Sequence, residues 1–280
     1  MSEVKTKEQL LVTTERAANH LNDEGVRFVE VDVNTRSYDS GHLPGAAGWN
    51  WQTQLQDQLR RTVVSKEDFE KLLGESGIDN DALIILYGDN NNWFAAWAYW
   101  LLKYYGHKDV RLLDGGRKKW EDEGRELTDA VPEFEPKKYT ISKINSELRA
   151  FRNDVAENLG KEAFGLVDVR SPDEFTGKIL APPGLLELSQ RAGHIPGAKN
   201  IPWSKAVNED GTFKSKEELK KLYEGEGITP DKDIIAYCRI GERSAHSWFV
   251  LNELLEYPNV RNYDGSWTEW GNLIDAPVER

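Results

Sequence analysis

Residues 233–255 read DIIAYCRIGERSAHSWFVLNELL. The run Asp233-Ile234-Ile235-Ala236-Tyr237 is apolar enough for a buried strand, and Ala245, Trp248, Phe249, Leu251, Leu254 and Leu255 recur at helical spacing. Strand, turn and helix in that order form the local unit of an α/β domain. The turn holds Cys238, the only cysteine in 280 residues, flanked by Arg239 and Arg243 with Gly241 between them. A single cysteine excludes an intramolecular disulfide, a CxxC redox pair and a cysteine-based zinc site. Whatever this thiol takes up must be handed to another molecule.

Working outward, the chain is written twice. Val31-Asp32-Val33 returns as Val167-Asp168-Val169, a shift of 136, and Gly41-His42-Leu43-Pro44-Gly45-Ala46 returns as Gly193-His194-Ile195-Pro196-Gly197-Ala198, a shift of 152. Tyr87-Gly88 aligns with Tyr237-Cys238, Asp114-Gly115 with Asp264-Gly265, and Trp120 with Trp270, all shifted by 150. So long a period indicates a duplicated domain rather than a solenoid. The change from 136 to 152 places 16 extra residues in the second copy between Ser171 and Ala192, where Ala181-Pro182-Pro183-Gly184 reads as a loop.

In the first copy the patterns predict strands over 26–33, 82–87 and 110–113 and helices over 65–76, 93–105 and 116–123, with Ser65-Lys66-Glu67-Asp68 resembling a capping box. The second copy predicts strands over 165–169, 233–237 and 260–263 and helices over 215–224, 243–256 and 266–273. This alternation predicts parallel sheets with helices on both faces and ligands beyond the carboxyl ends of the strands. Proline and charge between Gly124 and Lys138 suggest a linker, giving an expected division into 1–125, a linker over 126–143, and 144–280.

Net charge is −12, which argues against a nucleic-acid or anionic-membrane footprint. The charged start MSEVKTKEQL has no secretory apolar stretch, and Trp93–Leu102 is about half a membrane span. With no cysteine pairs, these features point to the cytoplasm.

The copies control one another. Where the second has Cys238, Arg239, Arg243 and Arg170, the first has Gly88, Asp89, Trp93 and Asn34. The arginines are absent where the thiol is absent, so they read as one functional unit. A helix N-terminus and nearby cations lower a thiol pKa, and amides around Gly241 can form an anion nest. The expectation is a positive cradle for a thiolate and a small dianion, with Glu242 facing solvent or pairing with an arginine. His42 and His194 occur in both copies and read as structural. Asp168, matched by Asp32, reads as pinning a loop, and Trp203 and Trp267 as candidates for the site entrance.

The strand-end Val-Asp-x-Arg/Asn, the Gly-His-x-Pro-Gly-Ala turn and the cysteine loop together resemble the tandem-domain rhodaneses, the thiosulfate sulfurtransferases, over nearly the whole chain. The resemblance implies two tandem rhodanese-like α/β domains, an inactive N-terminal one and a catalytic C-terminal one, with the site at their junction. It implies that Cys238 attacks the outer sulfur of thiosulfate, releases sulfite, and passes its persulfide to cyanide or another thiophile such as a thiol or thioredoxin. By position, Arg170, Arg239 and Arg243 would bind the substrate, and Ile240, Gly241, Glu242 and Ser244 would complete the cradle. No metal or organic cofactor is implied, and two packed domains can be self-sufficient as a monomer.

The uncharged Cys-Gly-Ser/Thr-Gly-Val-Thr loop of the sister 3-mercaptopyruvate sulfurtransferases differs from this one, which favours thiosulfate. Animal thiosulfate enzymes carry lysine where this chain has Ile240, so Arg239 and Arg243 both stand as candidates for that charge. The spacing here is C-x4-R, shorter than the C-x5-R ring that cradles phosphate in cysteine phosphatases, and no aspartate offers itself as their general acid. A persulfide carrier loaded by a partner protein is the alternative from a different class.

Overall fold

In the computed structural model, which describes residues 6–184 and 189–280, the chain forms two compact units. The first comprises Met1–Ser146 with Glu209–Phe213, the second Glu147–Asn208 with Lys214–Arg280.

The first unit is built on strands β1 (Leu11–Val12), β2 (Val26–Asp32), β3 (Ala47–Asn50), β4 (Leu83–Tyr87) and β5 (Val110–Leu113), in the order β1-β5-β4-β2-β3. The second repeats this with β6 (Arg149–Ala150), β7 (Phe164–Asp168), β8 (Lys199–Asn200), β9 (Asp233–Tyr237) and β10 (Val260–Tyr263), in the order β6-β10-β9-β7-β8. Every pairing is parallel. The fold is therefore α/β in both copies. The edge strands β1, β6 and β8 have two residues each, too few to carry a periodicity, and pattern reading passes over them.

Duplication extends to the packing. Leu43, Ala46, Ile85, Tyr87 and Trp120 share one core cluster, and their counterparts Ile195, Ala198, Ile235, Tyr237 and Trp270 share the other. The hydroxyl of Tyr87 accepts the amide hydrogen of Leu43 at 3.1 Å, and that of Tyr237 accepts the amide hydrogen of Ile195 at 3.1 Å. Ile234 and Ala236, on the opposite pleat from Ile235 and Tyr237, are buried too, as a strand covered on both faces requires.

Helices lie close to where the periodicity places them, at Lys66–Glu75, Gly116–Asp122, Lys216–Glu224 and Ser266–Trp270. Ser65 accepts the amide hydrogen of Asp68, while its own hydroxyl donates to the Asp68 carboxylate, so the N-cap forms without the reciprocal backbone bond. Within Asp89–Tyr104, Asn90, Asn91 and Asn92 hold φ of 51°, 53° and 67°, so the right-handed run begins at Trp93. Asparagine tolerates that region better than most residues. The predicted helix 243–256 is α-helical over Glu242–Trp248 and continues as a π-helix over Phe249–Leu254.

Segment 126–143 has little regular structure and runs along the first unit, where Lys137 donates its amide hydrogen to Gly74 at 2.9 Å and Arg27 stacks over Phe134 at 4.5 Å. Part of the second copy's extra stretch, residues 185–188, lies outside the described residues. Among the described residues no helix is long and apolar enough to cross a membrane.

Candidate active site

β9 pairs with β7 on one side and β10 on the other, so the residues leaving all three carboxyl ends converge around Cys238. The loop after β9 is tied down by its backbone. Cys238 donates its amide hydrogen to Ser266 Oγ at 3.1 Å, and its carbonyl accepts from Trp267 at 3.0 Å. The Arg239 carbonyl accepts from the amide and hydroxyl of Thr268, at 2.9 and 2.7 Å. The Gly241 carbonyl accepts from Ser244 Oγ at 3.0 Å and Asn262 Nδ2 at 3.2 Å.

Inside the loop, Gly241 donates its amide hydrogen to Cys238 Sγ at 3.1 Å, and the Ser244 backbone also hydrogen-bonds the sulfur. Two loop amides thus point at the sulfur. Gly241 has φ of +99°, and a β-carbon there would meet Asp264 Cα at 2.6 Å and Asp264 O at 2.8 Å. Gly241→Ala should therefore cost about 2 kcal/mol or more through left-handed strain and backbone collision. A urea midpoint indistinguishable from the parent's would show that the loop relaxes freely.

The electrostatics differ from the positive cradle expected. Arg243 forms a bidentate pair with Glu174, Nη1–Oε2 3.0 Å and Nη2–Oε1 3.1 Å, and its Nε lies 3.6 Å from Glu242 Oε1. Arg170 gives Nε and Nη2 to Asp168 (2.6–3.1 Å) and also bonds the Gly193 carbonyl at 2.7 Å, with Trp267 4.7 Å beneath the guanidinium. Three buried carboxylates thus accompany the three buried arginines Arg170, Arg239 and Arg243. At 1% exposure Arg170 is part of the wall, its guanidinium taken up by Asp168 and the Gly193 carbonyl.

The thiol is likewise not lowered. Cys238 is 0% exposed, and burial first, then the Glu242 carboxylate, push its pKa up against the opposing pull of Arg243 and the loop amides. Glu242 itself is buried, with Oε2 accepting from Cys238 Sγ at 3.4 Å. The solvent-facing alternative for this residue is excluded, and the arginine pairing stands alongside a contact with the thiol that the sequence did not suggest.

His194 bonds the Phe175 carbonyl through Nδ1 at 2.8 Å and stacks on the Phe175 ring at 3.5 Å, and His42 bonds the Tyr38 carbonyl through Nδ1 at 2.9 Å. Both are structural in geometry. Trp267 is buried under Arg170, not at an entrance. Trp203 does line an opening, a cavity of about 390 Å³ shared with Arg243, Glu174, Pro202, Ile179 and Pro183. Ile179 and Pro183 come from the stretch that only the second copy has.

Sequence reasoning passed over Glu174 and Ser266. Glu174 had a signal, since Ser171-Pro172-Asp173-Glu174 forms a capping box with proline at the first helical turn. Its second role, holding Arg243, had none. Among the described residues no group of three or more His, Cys, Asp or Glu side chains is arranged to hold a metal.

The rhodanese-like domain family matches the chain twice, over residues 13–123 and 151–273. A provisionally named thiosulfate sulfurtransferase of Saccharopolyspora erythraea is 58% identical over 275 residues, 98% of this chain and 97% of that protein. Sulfur carrier protein TtuD of Thermus thermophilus is 55% identical over 276 residues, 97% of each chain. Among solved structures, the anaerobic ergothioneine biosynthesis enzyme of Chlorobium limicola, in complex with its natural substrate trimethyl histidine, superposes with a TM-score of 0.85 at 27% identity. It covers 100% of this chain and 72% of that one.

Proposed function

This chain belongs to the rhodanese family, two copies of whose domain it carries, and from that premise we propose that it is a thiosulfate sulfurtransferase. Cys238 takes the outer sulfur of thiosulfate as a persulfide, sulfite leaves, and the sulfur passes to cyanide or another thiophilic acceptor. The coarser reading, a sulfurtransferase or sulfur carrier, is supported by relatives of both names that span nearly the whole chain. The observation that carries the finer one is a lone sulfur receiving the Gly241 amide hydrogen at 3.1 Å, in a loop that ends on Arg243.

In this reading Cys238 is the nucleophile. Arg243 and Arg239 bind the donor's sulfonate, and the loop from Ile240 through Gly241 and Glu242 to Ser244 holds the persulfide. Arg170, committed to Asp168, acts by holding the end of β7 in place. A guanidinium already paired with a carboxylate still has open edges for a dianion, and the contact is charge-assisted.

Incubation with thiosulfate followed by intact mass should show one added sulfur atom on Cys238, lost again on addition of cyanide. Comparison of kcat/KM should favour thiosulfate over mercaptopyruvate. A chain that gains no sulfur from thiosulfate, yet gains it from a persulfide-bearing protein, would be a carrier instead. The name of the Thermus relative supports that second reading.

A further inference from the structure

The two copies hold the same backbone amide with side chains from different positions. In the first, Gly88 donates its amide hydrogen to Asn92 Oδ1 at 3.1 Å, and Asn92 in turn donates through Nδ2 to the Leu113 carbonyl at 2.6 Å. Gly116 stands beside them with φ of 58°, and a β-carbon on it would meet Asn92 Oδ1 at 2.4 Å. In the second copy, position 88 becomes Cys238, 92 becomes Glu242 and 116 becomes Ser266. There the Cys238 amide hydrogen goes to Ser266 Oγ at 3.1 Å.

Ser266 keeps the left-handed conformation of its glycine counterpart, with φ of 51°, at the cost that a β-carbon brings there. Its hydroxyl takes over the amide, and it also donates to the Tyr263 carbonyl at 2.6 Å. The side chain at the loop's fifth position is released from that task. Glu242 turns instead to the thiol, with Oε2 3.4 Å from Sγ and Oε1 3.6 Å from Arg243 Nε. At 4% exposure it is shielded from bulk water.

We propose that Glu242 is the catalytic residue that takes the proton from Cys238 when the sulfur donor arrives. This rests on the thiosulfate reading above. The Sγ–H bond breaks, its proton goes to Glu242 Oε2, and the electron pair stays on sulfur. Sγ then bonds the outer sulfur of thiosulfate, and the bond to the sulfonate sulfur breaks with its electron pair leaving on sulfite. The proton returns from Glu242 to the terminal sulfur of the persulfide. Thiol and thiosulfate dianion become hydropersulfide and sulfite dianion, with no further reagent.

A buried base next to the thiol gives a resting thiol without halting the chemistry. Burial and the Glu242 charge both favour the protonated sulfur, so an exposed cation is not needed to explain how the thiolate forms. The groups facing Glu242 are the thiol and Arg243, with Glu174 beyond Arg243, and Arg239 belongs to the same loop.

The test is single-turnover loading with thiosulfate, read by intact mass across pH, for the parent chain, Glu242→Gln and Glu242→Asp. An ion-pair role alone predicts that Glu242→Gln loads as fast or faster, because a charge opposing the thiolate has gone. Proton transfer predicts loading about 100-fold slower at neutral pH, recovering by about tenfold per pH unit as bulk base substitutes, with Glu242→Asp partly restored. Chains loaded at high pH and treated with cyanide at that same pH should release sulfur with little change, because there bulk base and water carry the hydropersulfide proton from the terminal sulfur back to Sγ. Loading of Glu242→Gln at the parent rate, or equal loss of both half-reactions in both variants, overturns the inference alone. A parent chain that gains no sulfur overturns the donor reading and this inference with it.

Discussion

Cys238→Ser loads no sulfur from thiosulfate and turns over no cyanide, while its unfolding midpoint stays near that of the parent. The chain has no other cysteine, so no second thiol can substitute. A serine oxygen can accept the Gly241 amide hydrogen and donate to Glu242 as the sulfur does, at 3.1 and 3.4 Å in the parent, so the loop keeps its bonds. The change in stability should be about 1 kcal/mol or less, the scale of one altered hydrogen bond. What disappears is the nucleophile: an alkoxide is not accessible to an unactivated serine at neutral pH, and oxygen forms no stable persulfide equivalent. Measurable turnover in this variant would remove Cys238 from the mechanism.

Arg243→Gln has the largest expected effect on stability. Glu174 is buried, with both carboxylate oxygens held by Arg243. Burial pushes the Glu174 carboxyl up, but the Arg243 hydrogen bonds and charge, with help from Ser171 and Arg170, outweigh it and leave it below the ordinary carboxylate range. In the parent this contribution is fully present above the ordinary carboxylate pKa and is lost as pH falls through the lower folded value. Remove the guanidinium and burial is opposed only by the Ser171 hydrogen bonds and the Arg170 charge, so the carboxyl rises. The variant should lose about 3–5 kcal/mol at neutral pH, because an uncompensated charge is left inside. The sign of the pH dependence then reverses, and the deficit should shrink as the medium is acidified and Glu174 takes up a proton. Urea unfolding at neutral and mildly acidic pH checks this, and a deficit independent of pH would mean that packing, not charge, is what Arg243 supplies. Thiosulfate KM should rise in the same variant.

Much of this protein is legible without coordinates because its signals are local or repeated. The run Ile234 to Tyr237 followed by Cys238 and a helical apolar pattern is a strand-loop-helix unit wherever it occurs. The second Gly-His-x-Pro-Gly-Ala turn shows that one framework is used twice, and Tyr87 and Tyr237 make the same hydrogen bond in both. The joint absence of thiol and arginines from the first copy is the signal on which the proposed site in the second rests.

The charge state of the site was not legible. Glu174 meets Arg243 across 69 residues, and no local pattern couples them. Nor does any pattern tell that a glutamate at the first position of a short helix turns inward to the sulfur. The cations near Cys238 in the sequence predict a thiolate, whereas the folded chain brings a carboxylate to each of Arg170 and Arg243 and takes water away from the thiol. Desolvation depends on everything packed around a group, so its sign is a property of the assembled sheet and not of the loop.

The chain by itself thus determined a duplicated α/β framework and a single cysteine at the turn between a strand and a helix, since periodicity, turn chemistry and a cysteine count act over a few residues. Tertiary structure alone decided which carboxylates balance the arginines, that Ser266 holds the cysteine amide in a strained backbone, and that Glu242 therefore faces the thiol. Those outcomes depend on groups brought together from separate strands, where distance and burial set the electrostatic energy.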